Sequence, residues 1–268
     1  MKDLFYTALV LFLWVGCSQT QSPSRTLDLA HEEQEAISIT PDTDVSPEEN
    51  ILLARDDDQT APIVERTEEK VWTSLFNGES LAGWAVPVYG GDGAVDVQEG
   101  NLVIGRGEQM TGIRYEKEFP RMDYEIRYEA RRTEGYDFFA ACTFPVKESF
   151  CTFINGGWGG GAVGLSSING YDASENETSS YFDFREKTWY RFRINVKENR
   201  IQVWITPQNK EGDWEAEEGL IDFEMDDDTR LSTRMEVDLY KPFGFCTWAS
   251  EGQLRNIEYQ TDTNGRNE

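Results

Sequence analysis

The chain has 268 residues, with 50 acidic against 25 basic side chains, a formal net charge of −25 and an aromatic share of 13%. This length holds one large β domain with a tail or two small domains. So acidic a balance excludes a nucleic-acid binder, which needs clustered Lys and Arg, and a polybasic membrane patch. The single histidine is His31, ahead of everything that has the pattern of a folded domain, so the folded part has no imidazole for use as base, shuttle or metal ligand.

Residues 1–17 place Lys2 before an apolar run from Leu4 to Val15, too short to span a membrane as a mature helix, and end in small residues and Cys17. This is the pattern of a secretory signal. Its end, Trp14-Val15-Gly16-Cys17, resembles a bacterial lipobox in which Cys17 is lipidated, with Trp14 where Leu is usual. By resemblance to sorted lipoproteins, Ser18 after the cysteine favours the outer membrane. The expected location is the bacterial cell envelope, in the outer membrane or periplasm, with the lipid as the only membrane contact. Residues 18–70 carry fourteen acidic and four basic side chains, a net charge of −10, and few aromatics. Such a segment cannot bury enough apolar surface to offset its ordering entropy, so a disordered tether is expected. Asp56-Asp57-Asp58 could attract calcium, but a solvated charge run is the expected reading.

The folded domain is expected over 71–262, followed by a tail at 263–268. Short strands are predicted at Trp72 to Phe76 and after Leu81, with the Asn77-Gly78 turn between them. Val95 to Gln98 and Asn101 to Ile104 form a hairpin about Glu99-Gly100, and Gly112 to Tyr115 follows. Asp123 to Arg131 alternates strictly: Tyr124, Ile126, Tyr128 and Ala130 on one face, charged residues on the other. Phe138 to Phe144 and Phe150 to Ile154 read as a hairpin. With 145–148 as its loop, Cys142 lies opposite Cys151, and export makes a disulfide between them feasible; Cys246 is left as a buried thiol. A glycine-rich segment around Trp158 and an acidic loop from Asp172 to Asn176 come next. Trp189 to Val196 and Ile201 to Thr206 form a further hairpin. Strands at Leu220 to Glu224, Met235 to Leu239, Phe243 to Thr247 and Leu254 to Tyr259 complete the chain. Many short strands and no long helix indicate an all-β sandwich or barrel, and the length favours a jelly roll of two antiparallel sheets.

Several of these stretches, in this order, resemble the 3-keto-disaccharide hydrolase domain family. They are Leu75-Phe76-Asn77-Gly78-Glu79-Ser80-Leu81-Ala82-Gly83-Trp84, Asp123 to Arg131, the hairpin run at Asp137 to Phe144, Trp189-Tyr190-Arg191-Phe192-Arg193-Ile194, and Leu254-Arg255-Asn256-Ile257. The resemblance implies a concanavalin A-like jelly-roll β-sandwich with a carbohydrate site on its concave sheet. It also implies a secreted or lipid-anchored protein that cleaves glycosidic bonds of 3-keto sugars. Two departures stand out. Phe245 to Gly252 has no histidine where the family usually carries one, and the Trp158 and Asp172 segments look like those of a sub-branch.

In a 3-keto sugar the ketone acidifies the neighbouring C–H; a base takes that proton, the glycosidic group leaves, and water then adds. This chemistry needs a general base and an electrophile near the ketone oxygen. Without histidine the base must be a carboxylate: Glu129, Asp137, Asp172 or Glu175. Arg131, Arg193 or a bound divalent metal, Ca or Mn, would serve as the electrophile. The structural alternative for Glu129 and Arg131 is an ion-pair ladder with Arg191 and Arg193. Trp158 and Trp248 are candidate stacking platforms for sugar rings. Asp172, Glu175 and Asn176 are candidate substrate or calcium ligands, or simply a solvated loop. The Glu-x-Asp-x-x-Glu strand of lectin-like glucanases is absent. Two non-catalytic readings stay open: a carbohydrate-binding module and a structural envelope protein.

Overall fold

The computed structural model describes residues 71–262. The expected signal segment with Cys17, the tether at 18–70 and the tail at 263–268 lie outside the described residues. In chain order the strands are β1 (Thr73–Ser74), β2 (Trp84–Ala85), β3 (Val95–Gln98), β4 (Asn101–Ile104), β5 (Met110–Tyr115), β6 (Tyr124–Gly135), β7 (Ala141–Val146), β8 (Ser149–Gly156), β9 (Ala162–Ser166), β10 (Ser180–Tyr181), β11 (Tyr190–Lys197), β12 (Arg200–Pro207), β13 (Glu218–Glu224), β14 (Gly244–Trp248) and β15 (Ser250–Thr261). They form two antiparallel sheets. The eight-stranded sheet runs β13-β12-β11-β6-β15-β4-β3, with β1 also on β15; the seven-stranded sheet runs β10-β9-β8-β7-β14-β5-β2. This is the jelly-roll sandwich expected from the strand pattern.

The period-two pattern decides what each sheet buries. Tyr124, Ile126, Tyr128 and Ala130 of β6 and Phe192, Ile194 and Val196 of β11 point between the sheets. They meet Cys142 and Phe144 of β7, Cys151 and Phe153 of β8, Val163 and Leu165 of β9, and Phe245 of β14. Tyr128 lies 5.2 Å from Phe192 in its own sheet and 4.8 Å, edge on, from Phe245 in the other. Each large apolar side chain fully buried in this layer contributes roughly 1.5–3 kcal/mol.

Two expectations are corrected. The β7–β8 loop is only Lys147-Glu148, because Val146 pairs with Ser149 and Lys147 takes the positive φ of the turn. Cys142 therefore faces Phe153, and Cys151 faces Phe144. The two cysteines are diagonal neighbours, and Cys142, Cys151 and Cys246 are all free, buried thiols rather than partners in a disulfide. Second, Met235–Tyr240 is a 3-10 helix, not a strand. Its alternating acidic and apolar residues imitate a strand, but the buried pair is Val237 and Tyr240, three apart, which a 3-10 helix places on one face. Tyr240 lies over Gly112 of β5, where a Cβ would meet its ring at 2.4 Å.

Candidate active site

The two outer faces of the sandwich carry different chemistry, and the candidate residues divide between them. On the eight-stranded sheet, Glu129, Arg131 and Arg193 occupy the face opposite Tyr128 and Phe192. Glu129 is almost wholly buried there, accepting bonds from Arg191 Nη2 and Arg255 Nε, each at 2.8 Å. Arg193 is held by Glu217 at 2.6 Å and Glu125 at 3.6 Å. Arg131 donates to Gln253 Oε1 at 2.6 and 3.0 Å. The guanidinium groups also stack on indoles: Arg193 on Trp204 at 3.7 Å, Arg191 on Trp214 at 4.2 Å, Arg255 and Arg131 on Trp189 at 4.0 and 4.6 Å. Glu129, Arg131 and Arg193 are thus part of an ion-pair and cation–π ladder. They do not share a face with Trp158 or Trp248.

The outer face of the seven-stranded sheet holds a cleft of about 300 Å³. Its floor comes from strand residues that alternate with the core: Met110 of β5, Thr152 and Ile154 of β8, Ser166 of β9 and Trp248 of β14. Its walls come from connecting segments: Asp137 and Phe138 after β6, Trp158 after β8, Asp172 after β9, and Arg234, Glu236 and Val237 at the 3-10 helix. The cleft thus unites Trp158, Trp248, Asp137 and Asp172 from the predicted set. Glu175 is exposed on its loop. Asn176 braces that loop, donating to Leu165 O and Asp172 O at 2.7 and 2.8 Å and accepting from Thr178.

Asp137 enters the cleft just past the end of β6. Its Oδ1 accepts the Phe138 amide at 2.8 Å, and Oδ2 is held only loosely by the Gly159 amide at 3.4 Å. Burial raises the proton affinity of this carboxyl above the usual aspartate range, although nearby amides and the Arg132 charge pull the other way. Trp158 stands beside it on a tight turn, Gly157–Gly160, whose Trp158 and Gly159 both have positive φ. Trp158 has φ +47° and is 51% exposed. A bulky residue held in this conformation marks a strained backbone. Trp248 of the floor is the cleft's other indole, 6.4 Å from the Phe138 ring.

Asp172 is more firmly engaged. It accepts Ser166 Oγ at 2.6 Å and its neighbouring Ala173 amide at 2.8 Å, and it pairs with Arg234. Arg234 also reaches Glu236 at 3.4 Å. The Glu236 carboxyl is held below its ordinary range by its own backbone amide and by Arg234. The cleft therefore sets one carboxyl of raised proton affinity, Asp137, against an anchored arginine–carboxylate group.

A divalent metal fits this donor set poorly. The Arg234 cation occupies Asp172, and Asn176 Oδ1, the atom that could ligate a metal, already accepts from the Thr178 amide and hydroxyl. Among the described residues no group of three or more His, Cys, Asp or Glu side chains converges as ligands. Sequence reasoning missed Arg234, Glu236, Val237, Met110 and Phe138. The available signal was the row of hydroxyls in otherwise apolar strands: Thr143 and Thr152, 3.0 Å apart, and Ser166. Each alternates with core residues and so marks a sheet face left open. Nothing local marked Arg234.

Solved structures of similar fold include the exoplasmic/lumenal domain of VIP36 in its Ca2+/Man3GlcNAc-bound form, at 11% identity, TM-score 0.46, covering 69% of this chain and 89% of that one. The Crh5 transglycosylase in complex with NAG is similar at 10% identity and TM-score 0.44, over 73% and 85% of the two chains. The carbohydrate-binding module CBM66 from Bacillus subtilis is similar at 12% identity and TM-score 0.37, over 67% and 96%. No curated protein matches this chain. The family profile of the 3-keto-alpha-glucoside-1,2-lyase-like domain matches residues 71–229, more than half of the sequence. The chain therefore belongs to the 3-keto-alpha-glucoside-1,2-lyase-like domain family.

Proposed function

We propose that the protein cleaves the glycosidic bond of 3-keto sugars in this cleft by elimination, with Asp137 as the base. Asp137 takes the proton from the carbon between the ketone and the anomeric centre. The electron pair left behind forms a double bond to the anomeric carbon as the glycosidic oxygen departs with the bonding pair and is protonated. Water then adds across the double bond to give the free 3-keto sugar. Arg234, steadied by Asp172 and Glu236, supplies positive charge toward the ketone oxygen as the enolate develops. Trp158 and Trp248 flank the ring, one side of each indole packed and the other open to C–H groups. Lipidation at Cys17 would display the domain on the bacterial envelope, where it meets exported glycosides.

The observation that carries this reading is the half-buried Asp137 carboxyl, raised in proton affinity and loosely held at one oxygen, in the same cleft as a guanidinium group. The test is turnover of a 3-keto-glucoside and a plain disaccharide by wild type and Asp137→Asn, with EDTA and with added Ca2+ or Mn2+. Loss of a general base predicts a fall in kcat of about 10²–10⁴-fold with the keto substrate. Undiminished turnover by Asp137→Asn rejects the assignment. Sugar binding without turnover by either protein identifies a carbohydrate-binding module instead. That second reading is favoured by the missing histidine.

A further inference from the structure

Arg132 continues the inward-facing series of β6, after Tyr124, Ile126, Tyr128 and Ala130. Its residue is only 7% exposed, so a guanidinium group sits where the pattern calls for an apolar side chain. Among the described residues no carboxylate bonds to it directly. Instead Nη1 donates to the carbonyls of Asp137 at 3.2 Å and Gly160 at 3.4 Å, and Nη2 donates to Phe184 O at 3.4 Å. Among the described residues Nε is buried without a partner, and the group lies over the Phe139 ring at 5.7 Å. Two of the three carbonyls belong to the segments that carry Asp137 and Trp158. Gly160 allows this approach: a Cβ there would stand 3.1 and 3.3 Å from the two terminal nitrogens.

From these contacts we infer that Arg132 is a positioning residue for the cleft: a buried cation from the eight-stranded sheet that ties together the Asp137 segment and the Trp158 turn of the site on the opposite sheet. An ordinary core role would not require a desolvated charge, whose cost is recovered only through the bonds it makes. Carbonyl ligation fixes two loops while the Asp137 carboxylate, bonded to the Phe138 and Gly159 amides, faces the cleft. Arg132 also acts through its charge, drawing the Asp137 carboxyl down against the effect of burial. Glu186, Tyr190 and Asp137 are the groups that act on Arg132 in turn; within the cleft, Asp172, Arg234 and Glu236 form their own bonded group.

The inference rests on the catalytic reading of the cleft, and its test has an arm independent of turnover. The Asp137 carboxyl is titrated by carbon NMR, its signal assigned by Asp137→Asn, in wild type, Arg132→Met and Arg132→Lys. Removing the cation in Arg132→Met should move the Asp137 titration upward, because the Arg132 charge holds it down. It should also lower kcat/KM for a 3-keto-glucoside at least about tenfold, with the acidic limb of the pH profile moving in step. Arg132→Lys keeps the charge but cannot span three carbonyls, so it should retain the titration near wild type and still lose kcat/KM. Folded Arg132→Met with unchanged titration and unchanged kcat/KM overturns the inference. If Arg132→Met does not fold, Arg132→Lys with wild-type kcat/KM overturns it. If Asp137→Asn turns over normally, the catalytic reading fails while the titration arm still decides the Arg132 contact.

Discussion

Glu129→Gln separates a structural ladder from a catalytic carboxylate. Glu129 is 5% exposed, and its two oxygens each accept a guanidinium hydrogen at 2.8 Å, from Arg191 and Arg255. A charge-assisted bond is worth roughly 1.5–3 kcal/mol when both partners are buried. Here the arginines are 39% and 34% exposed, so solvent screening reduces each bond to about 1 kcal/mol. The glutamine amide retains one acceptor and turns an NH2 group toward a second cation, so both bonds are weakened. The expected loss is therefore about 2 kcal/mol, which for a domain of this size lowers Tm by roughly 4–8 °C. Urea unfolding should show a lower midpoint at unchanged slope. Turnover of a 3-keto-glucoside, measured well below Tm, should stay within about twofold, because no transition-state contact has been removed. Unchanged stability with a hundredfold fall in turnover would refute this account and return Glu129 to the catalytic centre.

Asp137→Asn should also change stability, in a direction that depends on pH. Burial raises the Asp137 carboxyl in the folded state; its contribution to stability is present below the unfolded value and is lost as pH rises through the folded one. The asparagine variant should then be at least as stable as wild type at neutral pH, and the difference should shrink on acidification; a variant markedly less stable at neutral pH would count against the raised proton affinity. Trp158→Gly relieves a positive φ at a half-exposed site. Stability should hold or rise by up to about 1 kcal/mol, while calorimetric sugar affinity falls at least about tenfold; unchanged affinity would remove Trp158 from the site. Burial pushes the Cys151 thiol up to about 12, and Cys142 and Cys246 are raised as well. Peptide mapping after alkylation should find all three unlabelled in the native protein and labelled after denaturation; a Cys142–Cys151 disulfide would contradict the β7–β8 register.

The resemblance carried by the Leu75–Trp84 and Trp189–Ile194 stretches led to the right family and sandwich, whereas the site was only partly legible. Asp137, Trp158, Asp172 and Trp248 could be nominated one by one, as a carboxylate at a strand end, a tryptophan among glycines, an acidic loop and an aromatic after a strand. Their company could not. Arg234 reaches Asp172 across 62 positions of sequence, and nothing near either residue signals the other. The cysteine pairing failed for a related reason: a loop of two residues rather than four displaces the partners, and local composition weakly constrains turn length.

Alternation along Tyr124–Arg131 and Tyr190–Val196 by itself determined which side chains enter the core, because a strand turns successive residues to opposite faces whatever its neighbours are. It could not determine which of two outward faces carries the site. The same alternation produces the Glu129 ladder on one sheet and the Thr152–Ser166 floor on the other. Only the stacking of the sheets made that decision. Tertiary packing set the ladder's charges against one another and against indoles on one outer face, and it brought four distant connecting segments around an open hollow on the other.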